Sequence, residues 1–197
     1  DFKRLLASEK RAVIETRNDY IGGTGKELMS DERVVTFRMM RGQLMIDFDI
    51  TFIASYGDVE IGDMKDAGLS VRIPSSMSLK SEMGGKIVNS EGVRDGDTWS
   101  KRAAWVDYHG PVDGEHLGIA ILNHPDSFRY PTPWHVRTYG LFTANPFGFK
   151  SLDEKLEDAS FTLIDGTRFL LRHRLVFHEG DEKDAKIAQA FKAYSKQ

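Results

Sequence analysis

The chain contains no cysteine among its 197 residues. That absence excludes a disulfide framework and thiolate chemistry. It is neutral about compartment, because exported proteins can lack cysteine too. No apolar run approaches the about 20 residues that a membrane-crossing helix needs. No secretory leader is visible, but the chain starts without Met at Asp1-Phe2, so a leader could have been removed. A soluble protein of either periplasm or cytoplasm is expected. A large excess of one charge sign is missing: the net charge of -3 gives no reason to expect nucleic acid or an anionic membrane as partner. Named reaction motifs are missing. There is no P-loop, no GxSxG, no dinucleotide-binding glycine pattern, and no HxH or HExxH spacing. No metal set is therefore assigned, and cofactors stay open. Linkers, low-complexity tracts and short repeats are also absent, which leaves residues 1–197 as one domain.

What the sequence does have is strand periodicity. Hydrophobic residues make up 40% and charged residues 29%, so the chain can fold around a core rather than stay disordered. The cleanest strand is 43–55. Leu44, Ile46, Phe48, Ile50 and Phe52 point one way, and Met45, Asp47, Asp49 and Thr51 the other. Ile46, Phe48 and Ile50 are expected to be buried, and the acidic face wet or part of a site. Further strands are expected at 12–16, 26–40, 57–63, 67–73, 86–89, 103–108, 117–122 and 134–142. Residues 1–10 show no clear period, and Asn18-Asp19 reads as a turn. Asp165-Gly166 suits a type I′ turn joining 161–164 to 167–177 in a hairpin. From Glu182 the period changes, and Ala185, Ile187, Ala188, Phe191 and Tyr194 fit an amphipathic helix. The expected fold is all-β, a large antiparallel sandwich with one C-terminal helix.

Chemistry concentrates in 84–148, where aromatic rings, cations and carboxylates alternate between turn residues. Trp105 and Trp134 could stack on a sugar ring or serve only as core, and the two readings balance. His135, Arg137 and Tyr139 share a strand face by alternation, which makes His135 the preferred acid or base over His124. Lys65, near Asp63 and Glu60, is its candidate partner, since a lysine among apolar neighbours can have a lowered pKa. Arg72, Lys101 and Arg102 could anchor a hydroxyl or carboxylate, although a surface ion pair is the usual fate of such charges. His109 and His116 flank a turn and read as solvated.

Four segments carry a family resemblance: GDMKDAGLSVRIPSSM, GGKIVNSEG, KRAAWVDYHGPVDGEHLGIAILNHP and PTPWHVRTYGLFTANPFG. Together, over residues 33–177, they resemble the PmoA-like family, labelled a methane oxygenase domain. Genuine methane monooxygenase subunits span the bilayer, and this chain has no segment able to do so. The resemblance implies a soluble or exported bacterial protein found in the company of sugar-oxidising dehydrogenases, hence carbohydrate metabolism. It also implies that a His-rich N-terminal portion is lacking here.

The expected function is therefore a carbohydrate-active enzyme, a lyase, hydrolase or epimerase, acting on a sugar or oxidised glycoside by acid–base chemistry. His135 and Lys65 would be the acid–base pair, oriented by Asp107 and Tyr108. Trp105 and Trp134 would stack, and Arg72, Lys101, Arg102 and Arg137 would bind a small-molecule or oligosaccharide ligand. The alternatives are a non-catalytic carbohydrate-binding module and an assembly protein. Lys65, Arg72, Lys101, Trp105, His124, His135 and Arg137 should line one concave surface of a sandwich related in shape to those of sugar epimerases.

Overall fold

The computed structural model describes residues 1–40 and 42–197. Its largest element is an eight-stranded antiparallel sheet. In chain order its strands are β1 (Phe2–Ala7), β2 (Arg11–Ile21), β3 (Glu27–Met40) and β4 (Gln43–Ile53). Two short strands follow, β5 (Val59–Ile61) and β6 (Leu69–Arg72). Then come β7 (Lys86–Asn89), β8 (Trp105–Val112) and β9 (Glu115–Asn123), which belong to the large sheet. After β10 (Trp134–Val136), β11 (Leu141–Ala144) and β12 (Phe161–Leu163), β13 (Arg168–Glu179) returns to it. The large sheet runs β1-β2-β3-β4-β13-β9-β8-β7, a small sheet runs β10-β11-β6, and β12 pairs with β5. The helix α1 (Ile187–Tyr194) ends the chain.

The layers follow from the period-two pattern. Ile46, Phe48, Ile50 and Phe52 of β4 stand opposite Leu175, His173, Leu171 and Phe169 of β13, all on the inner face. There the small sheet packs Trp134, Val136 and Phe142 against Ile87, Val106, Tyr108, Ile119 and Ile121. Each such fully buried side chain contributes roughly 1.5–3 kcal/mol. The opposite face packs Met45, Val88, Trp105, Ala120, Leu122 and Val176 under Ile187 and Tyr194 of α1. Gly68 lets the small sheet close up: a Cβ there would lie 2.1 Å from the Ala144 carbonyl oxygen, and its φ of +97° suits glycine.

Several expectations need correction. Ile46, Phe48 and Ile50 are half-buried rather than buried, because the small sheet covers only part of the inner face. Met45 and Asp47, expected on a wet face, are buried under the helix side, where Arg174 and Arg38 hold the Asp47 carboxylate. Residues 2–7 form a strand without a period because β1 is an edge strand exposed on both faces. Asn18-Asp19 lies inside β2, where Asn18 Nδ2 donates to Asp31 Oδ1 across the ladder at 2.7 Å. The expected strand 134–142 is two strands, β10 and β11, that pair with each other.

Candidate functional site

The small sheet has an outer face as well. Register pairs His135 with Thr143 and Thr143 with Ser70, then Leu141 with Arg72. Alternation with the buried Trp134, Val136 and Phe142 sends these side chains away from the core. A loop lies over His135. Asn145 Nδ2 donates to the carbonyls of Met64 and Lys65 at 3.0 and 2.9 Å, and the Asn145 Oδ1 accepts from Phe147 N–H at 2.8 Å. His135, 3% exposed, is 2.6 Å from the Lys65 carbonyl oxygen through Nδ1. A carbonyl can only accept, so Nδ1 carries the proton and Nε2 is left as the basic atom. Burial pushes the pKa of His135 below its ordinary value. The positive charges of Arg137 and Lys65 act in the same sense, against the Lys65 carbonyl and Asp66.

Beside it stands Trp99, whose ring meets the His135 imidazole edge-on at 4.8 Å. Its Nε1 donates to the Leu152 carbonyl at 3.0 Å. The Arg137 guanidinium lies 4.5 Å from the Trp99 ring centroid and 5.5 Å from that of Tyr139. Arg72 approaches the same Tyr139 ring at 5.4 Å. Among the described residues neither arginine has a carboxylate within 4.0 Å. A cavity of about 290 Å³ opens here, lined by Gly96, Trp99, Val136, Arg137 and Thr138.

Two residues hold this surface from below. The Tyr108 hydroxyl accepts from Leu79 N–H at 2.9 Å and donates to the Thr138 carbonyl at 3.1 Å, pinning the segment after His135. The Asp63 carboxylate accepts from the backbone N–H groups of Phe149, Lys150, Ser151 and Ala159, at 2.8 to 3.1 Å. Desolvation would raise its pKa, but the Ser151 hydroxyl and these N–H groups outweigh it and bring it down to about 2. The loop so fixed carries Leu152, the acceptor for Trp99.

The expected single surface is thus only partly assembled. His135, Arg137 and the Lys65 carbonyl come together on the outer face, and Arg72 of the same face meets Arg137 only through the shared Tyr139 ring. Lys65 reaches His135 through its carbonyl, while its side chain stays exposed. Trp134 is fully buried between the sheets and donates through Nε1 to the Ala103 carbonyl at 3.0 Å, so it cannot stack on a ligand. Trp105 packs under α1, on the far side of the large sheet. His124 lies against the Tyr194 ring at 4.9 Å, on the α1 side as well. Tyr108 is core. Asp107, one residue away, points to the opposite face and meets His178 Nε2 at 2.6 Å, far from any role at His135. Gly118 makes room for that pair, since a Cβ there would sit 2.2 Å from His178. Arg102 donates to the Pro131 carbonyl at 2.7 Å and lies 4.4 Å from the Phe149 ring centroid, a packing role. Lys101 is exposed on the adjoining loop. His109 is buried and is 2.7 Å from His116 Nε2, so it is not solvated as expected. Trp99 is the residue the sequence reading missed. Its signal was its place in GDTWSKR, five residues after Arg94 and beside the two cations that drew attention instead.

The sequence profile of a family of unknown function, DUF6807, matches residues 1–192. The chain belongs to that family. No match to the PmoA-like family is found, so that expectation is overturned, and its association with sugar dehydrogenases falls with it. No curated protein matches the DUF6807 chain. A solved structure of a galactose mutarotase-like protein from Lactobacillus casei ATCC 334 is similar at 12% identity, with a TM-score of 0.41. The match covers 90% of this chain and 73% of that one. A superposition that loose carries no argument about function.

Proposed function

We infer that the outer face of the small sheet binds a small hydroxylated acid of the sugar-acid class, and that His135 moves a proton on it. One observation carries this reading: His135 Nε2 has no protein partner, Arg137 lies against the Trp99 ring that meets His135, and Arg72 shares the Tyr139 ring with Arg137, both guanidiniums without carboxylate partners among the described residues. Unneutralised arginines favour a carboxylate, which they can grip bidentately. The aromatic faces of Trp99 and Tyr139 hold those arginines in place and give the ligand a surface to lie on.

The chemistry follows from the charges. The neutral Nε2 takes the proton from the carbon next to the ligand carboxylate. The electron pair released moves onto the carboxylate oxygens, where Arg72 and Arg137 offset the added negative charge. Return of the proton to the same face gives exchange with solvent, and its transfer from His135 to a β-hydroxyl, which leaves as water, gives elimination. Binding without turnover is the second reading. It is favoured by Lys65, which supplies a carbonyl and not an amine to His135, so the expected second acid–base member is not in place.

Deuterium wash-in at the carbon next to the carboxylate, followed by NMR over a panel of sugar acids in D2O, separates the two. His135→Ala should abolish wash-in and leave affinity within about threefold, because proton transfer acts mainly in the transition state. Trp99→Ala should weaken binding itself, by about 0.5–2 kcal/mol, through loss of the Arg137 platform. Affinity in the parent without any wash-in would leave only the binding reading.

A further inference from the structure

A second cavity lies on the other side of the small sheet, against the inner face of the large one. It measures about 300 Å³, the low end of the range for ligand pockets, which suits a single-ring molecule. Its walls are apolar: Phe48, Ile50 and Phe52 of β4, Leu171 of β13, Leu69 of β6, and Phe147. The polar residues that line it are Tyr20, Arg33 and His173.

His173 is 2% exposed. It lies 3.3 Å through Nε2 from Asn123 Nδ2. The Asn123 amide cannot be turned round, because its Oδ1 already accepts from Thr132 N–H at 3.2 Å. Nε2 of His173 is therefore an acceptor and Nδ1 carries the proton. Among the described residues that Nδ1–H has no hydrogen-bond partner. Burial pushes the pKa down to about 3, so the ring is neutral.

Arg33 is the second donor. Its Nε and Nη2 donate to Asp31 at 2.8 and 2.6 Å, and Nη2 also to the Tyr20 hydroxyl at 3.0 Å. Nη1 has no partner among the described residues. The Asp31 side chain is fully buried and neutralises the guanidinium. Tyr20 donates its proton to the other side of the same carboxylate at 2.6 Å, and so has no donor left for a ligand.

The cavity thus offers two unmet N–H donors, apolar walls and no net charge. The His173 donor is buried beside apolar walls, where an acceptor on a ligand relieves it, while the Arg33 side chain keeps 39% of its surface exposed and exchanges water for that acceptor. An anion would gain no net counter-charge there and would still have to shed its water. We propose that this cavity binds an uncharged, mainly apolar molecule carrying a carbonyl oxygen, such as an aromatic ketone or ester. The oxygen accepts from His173 Nδ1 and Arg33 Nη1 while the ring lies among Phe48, Ile50 and Phe147. This site is independent of the His135 surface, since the small sheet stands between them.

The test is a backbone-amide NMR titration of the intact chain with acetophenone, ethylbenzene and benzoate. These three share a ring and differ in acceptor and charge. Acetophenone should give saturable shifts at Arg33, Phe48, Ile50, Leu69 and His173, with at least fivefold tighter binding than either of the others. His173→Leu should cost acetophenone fivefold or more and leave ethylbenzene unchanged. If that variant does not fold, the ranking of the three probes on the parent still decides. Absence of saturable shifts at these residues overturns the proposal. So does ethylbenzene or benzoate binding as tightly as acetophenone.

Discussion

Histidines in this protein differ by what their ring nitrogens face. At His135 a carbonyl takes the Nδ1 proton and leaves one basic nitrogen. At His178 both nitrogens face acceptors, Asp107 Oδ2 at 2.6 Å and the Glu179 carbonyl at 3.2 Å. Burial lifts the pKa of the Asp107 carboxyl, and Asp107 lifts that of His178 against desolvation, so the two shifts pull the shared proton in different directions. We take the imidazole as charged with Asp107 as its counter-ion, since Asp107 raises the pKa of His178; a neutral ring accepting from a protonated Asp107 would satisfy the same two contacts, and stability against pH separates the two. A histidine pKa raised on folding contributes stability that is complete below its unfolded value, about 6.5, and is lost as pH rises through the folded value. Urea unfolding should therefore show stability falling above pH 6.5, with a flatter profile there in Asp107→Asn. At pH 6 that variant should lose about 3–5 kcal/mol, since it leaves a buried charge without its partner. A loss under about 1 kcal/mol would mean that the pair is neutral.

At the scale of elements, local patterns were legible and pairings were not. The alternation of residues 43–53 marks β4 plainly, and the amphipathic period marks α1, although the helix starts at Ile187 after a turn. A turn forms at Asp165-Gly166, with Thr167 N–H donating to the Ile164 carbonyl at 2.9 Å, but it is not the expected type I′, because of its two central residues only Gly166 has a positive φ. Its two arms do not make a hairpin, because β12 joins β5 while β13 runs between β4 and β9. Turn chemistry acts over four residues, whereas strand partners are chosen by burial across the whole chain. The loop after β11 follows the same logic. It buries Leu152 and Ala159 and packs Phe147, and its backbone is held by one carboxylate, Asp63, with four N–H donors. Asp63→Asn should strand some of those donors and cost about 1–3 kcal/mol. The parent should lose the same contribution as pH falls from about 4 toward 2, because a depressed carboxyl pKa stabilises only above it. Thermal melts of both proteins at pH 7 and pH 3 check this, with the difference shrinking at the lower pH.

For the whole molecule, the sequence revealed an all-β chain with a large antiparallel sheet, while the site was legible only in part. His135, Arg137 and Arg72 were recognisable because alternation placed them on strand faces and their chemistry is distinctive. Trp105 and Trp134 were open to two readings because an indole serves core and ligand equally well, and the layer that buries each is remote in sequence. Trp99 and Asp63 lie on no strand face: one follows the 3-10 turn of residues 95–98, and the other acts mainly on backbone N–H groups of a loop remote in sequence. The central claim is that Arg72 and Arg137 form an anion site at His135. Calorimetric titration of galacturonate and galactose, into the parent and into an Arg72→Gln/Arg137→Gln double variant, tests it most directly. The account predicts that the parent binds galacturonate at least tenfold more tightly than galactose, that added salt weakens this binding, and that the double variant loses the preference. Equal affinity for the acid and the neutral sugar, or an acid preference that survives in the double variant, would contradict it.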